Sequence, residues 1–188
     1  IATLHAHRLT GIIPRLTNET MGLTREVLAT PQTINLFMYQ ALVPKNCPSC
    51  SSLTEDALRN PDSDKLNIQS NIEEAIRLDL DPTKFRWRNP NGCSECRGRG
   101  TQGQGLVAEL LTPDYQMLDY IRKGDDAKAF DYHRGRGNFD LTSNDLYCKS
   151  IVEHTLLKVF TGEVDMRILS KFEKTSDFVT NYLRMKGA

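Results

Sequence analysis

The sequence predicts an α+β fold that is mostly helical, with small β pieces close to its cysteines. Apolar residues recur at helical spacing near both ends of the chain, as in Leu9, Ile12, Ile13 and Leu16. Residues 85–88 alternate between apolar and charged side chains, as a strand does. Two Cys-x-x-Cys pairs flank the polar stretch 51–92, and this spacing favours a subdomain held by a metal ion.

The first quarter of the chain is predicted to contain one strand and several helical stretches. Residues Ile1–Leu4 fit a short buried strand that ends at His5, and Leu9–Leu16 fits a helix. Another helical stretch begins at Val27. An apolar stripe then predicts a helix leading to Pro44, and its members are Ile34, Phe37, Met38, Ala41 and Leu42.

The segment between the cysteine pairs is polar, and we expect residues 51–70 to be rich in loops. Ser70 and Glu73 have the spacing of a capping box, which predicts that a short helix begins there. Residues 98–105 follow the second pair and hold four glycines, so a flexible loop is expected.

The last part of the chain is predicted to be one strand followed by helices. Leu106–Leu111 is the strand candidate. Thr112 followed by Pro113 resembles an N-cap with proline at the first helical position. The predicted helices cover residues 113–124, 126–133, 146–160, 168–169 and 178–183.

Composition excludes some classes of function. The 188 residues carry 24 basic and 24 acidic side chains, so net charge gives no argument for nucleic acid or an anionic membrane. No apolar run approaches the ~20 residues that a membrane-spanning helix needs. The chain opens on Ile1 rather than Met, which suggests a piece of a longer protein.

The two cysteine pairs are the strongest site prediction. They supply four soft ligands, which suit a closed, tetrahedral and therefore structural Zn²⁺ site: Cys47, Cys50, Cys93 and Cys96. The intervening residues 51–92 make a long loop, but lengthening a loop from about 17 residues to this size costs only ~0.8 kcal/mol. Structural zinc contributes roughly 10–16 kcal/mol in small peptides, so the loop does not exclude the site.

Three alternatives compete with zinc. Disulfides are one, although five cysteines would leave Cys148 unpaired and no signal peptide is present. A redox Cys-x-x-Cys is another, but two such pairs are not needed and no thioredoxin-like βαβ pattern surrounds them. The third is the zinc module of DnaJ-type chaperones, because residues 93–100 fit Cys-x-x-Cys-x-Gly-x-Gly; that module needs four such repeats.

Several segments together resemble the type II secretion and type IV pilus assembly ATPases. The segments that carry the resemblance are Thr3-Leu4-His5 with Gly11 and Arg15-Leu16, Met21-Gly22-Leu23, Gln40-Ala41-Leu42-Val43 before Cys47-Pro-x-Cys50, Gly92-Cys93-x-x-Cys96 with Gly100, Gly103 and Glu109, and Leu156-Leu-Lys-Val159-x-x-Gly162. They occur in the family's order along nearly the whole chain.

The resemblance implies the C-terminal part of a RecA-like P-loop ATPase. It implies the end of the nucleotide-binding domain over residues 1–46, a zinc subdomain over 47–111 and a C-terminal helical region over 112–188. It also implies a cytoplasmic hexamer, peripheral to the inner membrane, that uses ATP and Mg²⁺ and docks on a membrane platform protein. No Gly-x-x-x-x-Gly-Lys-Ser/Thr loop occurs in the 188 residues, so this fragment alone should not hydrolyse ATP.

The resemblance assigns two residues to the nucleotide. His5, at the end of a core strand, would sense the γ-phosphate as the catalytic residue of this fragment, and Arg15 would approach a phosphate. Ala41 and Gln104 stand where the family has arginines, which suggests a divergent branch.

Two Arg-Gly elements, in residues 96–100 and 133–137, invite an RNA-binding interpretation, but on a neutral chain solvated arginines in glycine loops are the simpler one. The main alternative function is a non-enzymatic zinc-knuckle interaction module, either chaperone-like or an RNA-binding adaptor.

Overall fold

The structure is a computed structural model, and it describes residues 9–61 and 66–187. The α-helices are α1 (Ile12–Leu16), α2 (Arg25–Leu28), α3 (Thr54–Leu58), α4 (Ile68–Arg77), α5 (Tyr115–Lys123), α6 (Asp126–Gly135), α7 (Ile151–Phe160) and α8 (Thr175–Lys186). The strands are β1 (Phe37–Asn46), β2 (Ser52–Leu53), β3 (Arg86–Trp87) and β4 (Thr101–Leu111). Short 3-10 helices cover Leu9–Gly11, Pro82–Lys84 and Met166–Lys171. The fold therefore mixes helices and strands, and the strand predicted at Ile1–Leu4 lies outside the described residues.

The strands form two small sheets. β1 pairs with β4, and β2 pairs with β3 in antiparallel register, with Ser52 opposite Trp87. The chain divides into two compact units. The first unit holds the described residues up to Gln40 together with Ala108–Asn138 and Asp145–Ile151, and the second holds Ala41–Val107, Phe139–Asn144 and the residues from Val152 onward.

Apolar burial organises the first unit. α5 packs against α6 and α2, and the packed faces form one continuous core. Its buried members are Leu9, Ile12, Ile13, Leu16, Leu28, Ala29, Phe37, Leu111, Met117, Leu118, Ile121 and Ala129. The Arg25 guanidinium joins two elements of this unit, because it donates to both carboxylate oxygens of Asp126, at 2.6 and 2.8 Å.

The second unit contains both cysteine pairs and the last two α-helices. α4 packs against α8 and against the 3-10 helix Met166–Lys171. α3 packs against β2 and β3, where Trp87 is 1% exposed and its indole N–H donates to the Thr54 hydroxyl at 2.9 Å. The predicted strand over residues 85–88 is confirmed as β3, whereas the predicted loop over 51–70 contains β2, α3 and the start of α4.

One predicted helix is wrong. The stripe from Ile34 to Leu42 predicted a helix, but the chain forms β1 from Phe37. Along β1 the buried positions Phe37 and Val43 lie on one face, whereas Met38 and Leu42 are each 51% exposed. Side chains alternate between the two faces of a strand, and burial along β1 follows this alternation. The helical spacing of the apolar residues in this segment is therefore coincidental.

Three element starts also differ from prediction. β4 begins at Thr101 and takes in part of the glycine-rich segment that predicted a loop. α4 begins at Ile68, and the Ser70 hydroxyl donates to the Asn67 carbonyl instead of capping a helix. The N-cap of α5 is Asp114, whose Oδ1 accepts from the Met117 N–H at 3.0 Å, and not Thr112.

The remaining predicted helices are present with shifted boundaries: α6 extends to Gly135, α8 covers Thr175–Lys186, and residues 168–169 lie in the 3-10 helix Met166–Lys171. Gly124 ends α5, as predicted. α7 begins at Ile151, five residues after the predicted apolar stripe does, because Cys148 adopts a left-handed backbone conformation (φ +56°). Within the described residues, no helix combines the length and the apolar character needed to cross a bilayer.

Candidate metal centre

The first cysteine pair lies in a turn directly after β1. The Cys47 N–H donates to the Gly100 carbonyl at 3.1 Å, and the Ser51 N–H donates back to the Cys47 carbonyl at 3.0 Å. Cys47 is fully buried, and Cys50 is half-buried. The bond to Gly100 ties the first pair to the chain that leaves the second pair.

The second pair lies in a turn that contains consecutive left-handed residues. Arg97 and Gly98 have φ values of +54° and +76°. The Gly98 N–H donates to the Cys93 carbonyl at 3.0 Å, which folds the chain back over the pair. Both Cys93 and Cys96 thereby present their Sγ atoms to the same point.

The four Sγ atoms form one group, named here the cysteine cluster: Cys47, Cys50, Cys93 and Cys96. All lie within 4.8 Å of one another, and they could hold a metal ion. The recorded separations are 3.8 Å for Cys47–Cys93, 3.9 Å for Cys50–Cys96 and 3.8 Å for Cys93–Cys96. A regular tetrahedron of thiolates around Zn²⁺ at about 2.3 Å requires sulfur atoms about 3.8 Å apart. The donor set and its spacing therefore fit a four-coordinate thiolate-bound ion.

The electrostatics of the cysteine cluster also favour a bound cation. Desolvation opposes ionisation of Cys96, but the N–H groups of Cys93 and Gly100 each donate to its Sγ at 3.1 Å, and its pKa is lowered to about 6. At Cys50, desolvation first and the neighbouring thiols second raise the pKa to about 12. Peptide dipoles thus stabilise one thiolate, while further negative charge at the site needs a compensating cation.

Close packing of two glycines holds the second turn. A Cβ on Gly100 would lie 2.0 Å from the Asn89 carbonyl oxygen, and a Cβ on Gly92 would lie 2.3 Å from the Gly98 carbonyl carbon. Both glycines also have positive φ, +68° and +62°. Any other residue at either position would push the turn open.

Polar side chains fix the first turn to its surroundings in the second unit. The Arg86 guanidinium donates from Nε to the Ser51 hydroxyl at 2.9 Å and from a terminal nitrogen to the Ser51 carbonyl at 2.6 Å. Asn46 precedes the first cysteine, and its amide N–H₂ donates to the carbonyls of Arg86 and Gly162 at 2.9 and 3.3 Å. The sequence did not predict that Asn46 and Arg86 hold the first turn. The one signal that pointed to such a role was the position of Asn46 next to Cys47.

The structure describes one of the two residues that were predicted to face nucleotide. Arg15 lies on α1 with an exposed side chain. His5 falls outside the described residues. The fifth cysteine, Cys148, is buried with its Sγ 3.6 Å from Nδ1 of His133, and it takes no part in the cluster.

Comparison of the sequence with known proteins identifies its family. The family described as "Type II/IV secretion system protein" matches residues 1–153. The type II secretion system protein E of Klebsiella pneumoniae is 29% identical over 125 residues, which cover 66% of this chain and 21% of that protein. The type IV pilus assembly ATPase PilB of Myxococcus xanthus (strain DK1622) is 27% identical over 111 residues, which cover 59% of this chain and 17% of that protein. The chain thus aligns with about a fifth of the length of these relatives, and it belongs to the type II/IV secretion system protein family.

Proposed function

We propose that this chain is the C-terminal part of an ATPase that drives type IV pilus assembly or type II protein secretion. The observation that carries the proposal is the family match over residues 1–153. A relative named as a pilus assembly ATPase and another named as a secretion protein support it. The parent protein is proposed to be a cytoplasmic hexamer, peripheral to the inner membrane, that docks on a membrane platform protein.

Within that parent protein, the chain is divided by function into three regions. Residues 1–46 close the RecA-like nucleotide-binding domain, residues 47–111 form the zinc subdomain, and residues 112–188 form a helical region. ATP and Mg²⁺ bind mainly through residues outside this chain, since no phosphate-binding loop occurs in its sequence. The chain by itself is therefore expected to be inactive as an ATPase.

The cysteine cluster is proposed to hold one structural Zn²⁺. Support comes from the sulfur spacing of 3.8–3.9 Å and from the N–H donors at the Cys96 Sγ. When bound, the ion supplies a cross-link between the two turns and no catalytic chemistry, because four thiolates leave it no open position. The N–H groups of Cys93 and Gly100 hold the thiolate of Cys96 in place, and Arg86 and Asn46 hold the turn that carries Cys47.

Substitution of His5 in the full-length parent tests the nucleotide proposal. His5→Ala should lower ATP turnover about 10²–10³-fold, since a group that stabilises charge on the transferred phosphoryl has an effect of this size. Zinc content and unfolding temperature should stay unchanged. His7→Ala is the matched control, because its side chain is expected to be solvated.

Arg15→Gln extends the same test with a smaller expected loss, since a surface guanidinium near phosphate acts at longer range. If His5→Ala kept the ATP turnover of the unsubstituted protein, His5 would not belong to the nucleotide site. A full-length protein without measurable ATP turnover would instead favour the zinc-knuckle adaptor.

A further inference from the structure

The second Arg-Gly element of the sequence, residues 133–137, is packed and not solvated. It forms the last turn of α6 and the residues directly after it. His133 and Arg134 are only 5% and 6% exposed. A ring buried to this degree is costly to protonate, because burial disfavours the charged form.

The segment directly before α7, residues 145–150, is held against this end of α6. The Arg136 guanidinium donates to the Tyr147 hydroxyl, and Nδ2 of Asn138 donates to a carboxylate oxygen of Asp145 at 3.0 Å. A Cβ on Gly137 would lie 2.5 Å from the Tyr147 carbonyl oxygen, so the two backbones are in close contact. Side chains and backbone together therefore fix the segment to the helix.

Within this contact His133 meets Cys148. The Cys148 Sγ lies 3.6 Å from Nδ1 of His133, and Nε2 of the ring has no hydrogen-bond partner among the residues that the structure describes. Cys148 has a left-handed backbone (φ +56°), which is uncommon for a residue other than glycine. A neutral thiol can donate to an unprotonated ring nitrogen. Protonation of the ring removes that bond and leaves a buried positive charge.

The charges around the ring favour its neutral form. Burial first and the positive charge of Arg136 second lower the pKa of His133, and Arg134 acts in the same direction. These effects outweigh the backbone of Leu110 and the carboxylate of Asp114 at the N-cap of α5, which favour the protonated ring. The folded chain therefore holds the imidazole neutral.

The other titratable groups on the packed elements belong to classes that titrate outside the range of histidine. Burial raises the pKa of the Cys148 thiol, so this thiol stays protonated in acid. The segment also carries Lys149, and β4 carries Glu109, which accepts from the Ile151 N–H at 3.4 Å. Carboxyl groups ordinarily titrate about two pH units below an imidazole. Histidine is the side chain that ordinarily changes its charge between about pH 5 and 8.

We propose that His133 and Cys148 form an acid-sensitive latch, in which protonation of the buried imidazole releases residues 145–150 from the end of α6. The open latch lets the ring bind a proton that the closed latch excludes. Closure is therefore fully stable above the ordinary imidazole pKa of about 6.5 and weakens as pH falls below it. The released residues lead directly into α7, so acid frees the chain at the start of this helix. The proposal does not depend on ATP hydrolysis by the parent protein.

Amide hydrogen exchange of the zinc-loaded 188-residue chain at about pH 7 and about pH 5.5 tests the latch. After correction for the intrinsic effect of pH on exchange, protection of the Tyr147 and Lys149 amides should fall roughly tenfold, since one pH unit below the pKa of the open state shifts the equilibrium by this factor. Protection of the α5 amides should stay unchanged, because the opening is local. This comparison needs no variant of the protein.

Substitution of histidine separates the ring from the general effect of acid. His133→Gln should give equal protection at the two pH values, since an amide gains no proton in this range. His154→Gln is the matched control, because it removes the other histidine of the described residues and should keep the tenfold change. If His133→Gln does not fold, NMR titration of the His133 imidazole in the unsubstituted chain replaces it, and the ring should titrate below about pH 6.5.

Acid also weakens metal binding by thiolates, so the contribution of the cysteine cluster is measured separately. Cys93→Ser, which removes a proposed metal ligand, should keep the pH dependence at Tyr147 and Lys149.

Four results would overturn the proposal. They are equal protection at the two pH values in the unsubstituted chain, an undiminished fall in His133→Gln, a fall of the same size throughout α5, and a fall that is absent in Cys93→Ser. The third would mean that acid unfolds the whole unit, and the fourth would assign the response to the metal centre.

Discussion

The helical core of the first unit and the cysteine-bearing turns of the second are stabilised in different ways. The first has a continuous set of buried apolar side chains from α1, α2, α5 and α6. The second has consecutive left-handed residues, glycines in close contact and four thiols that converge on one point. Burial is distributed over many contacts, whereas the proposed metal ion would join the two turns through a single cross-link.

This difference determines how each region responds to the loss of a side chain. The free energy from apolar burial is roughly proportional to area, so losing one side chain removes part of it. A metal site loses its ion when one ligand is missing, so the response there is close to all-or-none. Loss of metal should therefore disrupt the turns and leave the helical core protected.

The largest effect is expected from Cys93→Ser. Loss of a ligand should abolish stoichiometric zinc binding, which contributes roughly 10–16 kcal/mol in isolated zinc-finger peptides. Amide hydrogen exchange should then speed up around residues 47–61 and 85–101 while α5 and α6 stay protected. Cys148→Ser is the control, since it changes a buried thiol outside the cluster and should keep full zinc content. Equal loss of protection in both units would contradict the distinction.

A pair of glycines tests how tightly the second turn is packed. Gly100→Ala should destabilise the protein by more than about 3 kcal/mol, because its Cβ would overlap the Asn89 carbonyl oxygen. Gly103→Ala should cost only about 1–2 kcal/mol, since its φ is also positive (+75°) but no atom lies within 4 Å of the added Cβ. Urea unfolding monitored by circular dichroism measures both. Equal costs would mean that backbone conformation alone, and not close packing, restricts Gly100.

A core truncation gives the corresponding test in the first unit. Ile121 is fully buried, so Ile121→Ala should cost about 2–5 kcal/mol while zinc content is unchanged. Ile76→Ala is the matched control, because Ile76 is 58% exposed and its truncation should cost no more than about 0.5 kcal/mol. Zinc loss in Ile121→Ala would show that the two regions are more strongly coupled than this account holds.

The smallest effect concerns the N-cap of α5. Desolvation opposes ionisation of Asp114, but bonds from the Met117 N–H, the Tyr132 hydroxyl and Arg136 outweigh it and lower its pKa. A carboxyl with a lowered folded pKa adds stability above its unfolded pKa of about 3.9 and loses it as pH falls through the folded value. Asp114→Asn should therefore flatten the loss of stability between about pH 4 and the acid limit, at a cost of about 1 kcal/mol at neutral pH. Thermal unfolding at several pH values measures this. If the fall in stability at acid pH were the same in Asp114→Asn, Asp114 would not contribute to it.

Part of this structure could be predicted from sequence because some signals are local. The two Cys-x-x-Cys pairs are contiguous patterns, and the structure brings their four sulfur atoms together. Helices were also predicted where α5 and α8 occur, although both begin at residues other than those predicted. β1 was missed because Phe37, Met38 and Leu42 fit both helical and strand periods, and pairing with β4 decides between them. Asn46 and Arg86 could not be found, since their roles depend on partners distant in the chain, such as Gly162 and Ser51.

Chelation of the metal, monitored by the one tryptophan of the chain, tests the central claim most directly. Trp87 lies in β3 at 1% exposure, within the unit that holds the cysteine cluster. We expect about one zinc per purified chain, and removal of the ion by a chelator should shift the Trp87 emission to the red in proportion to the zinc released. A metal-free chain that stays folded, with Trp87 buried and a cooperative unfolding transition, would contradict a structural metal at these four cysteines.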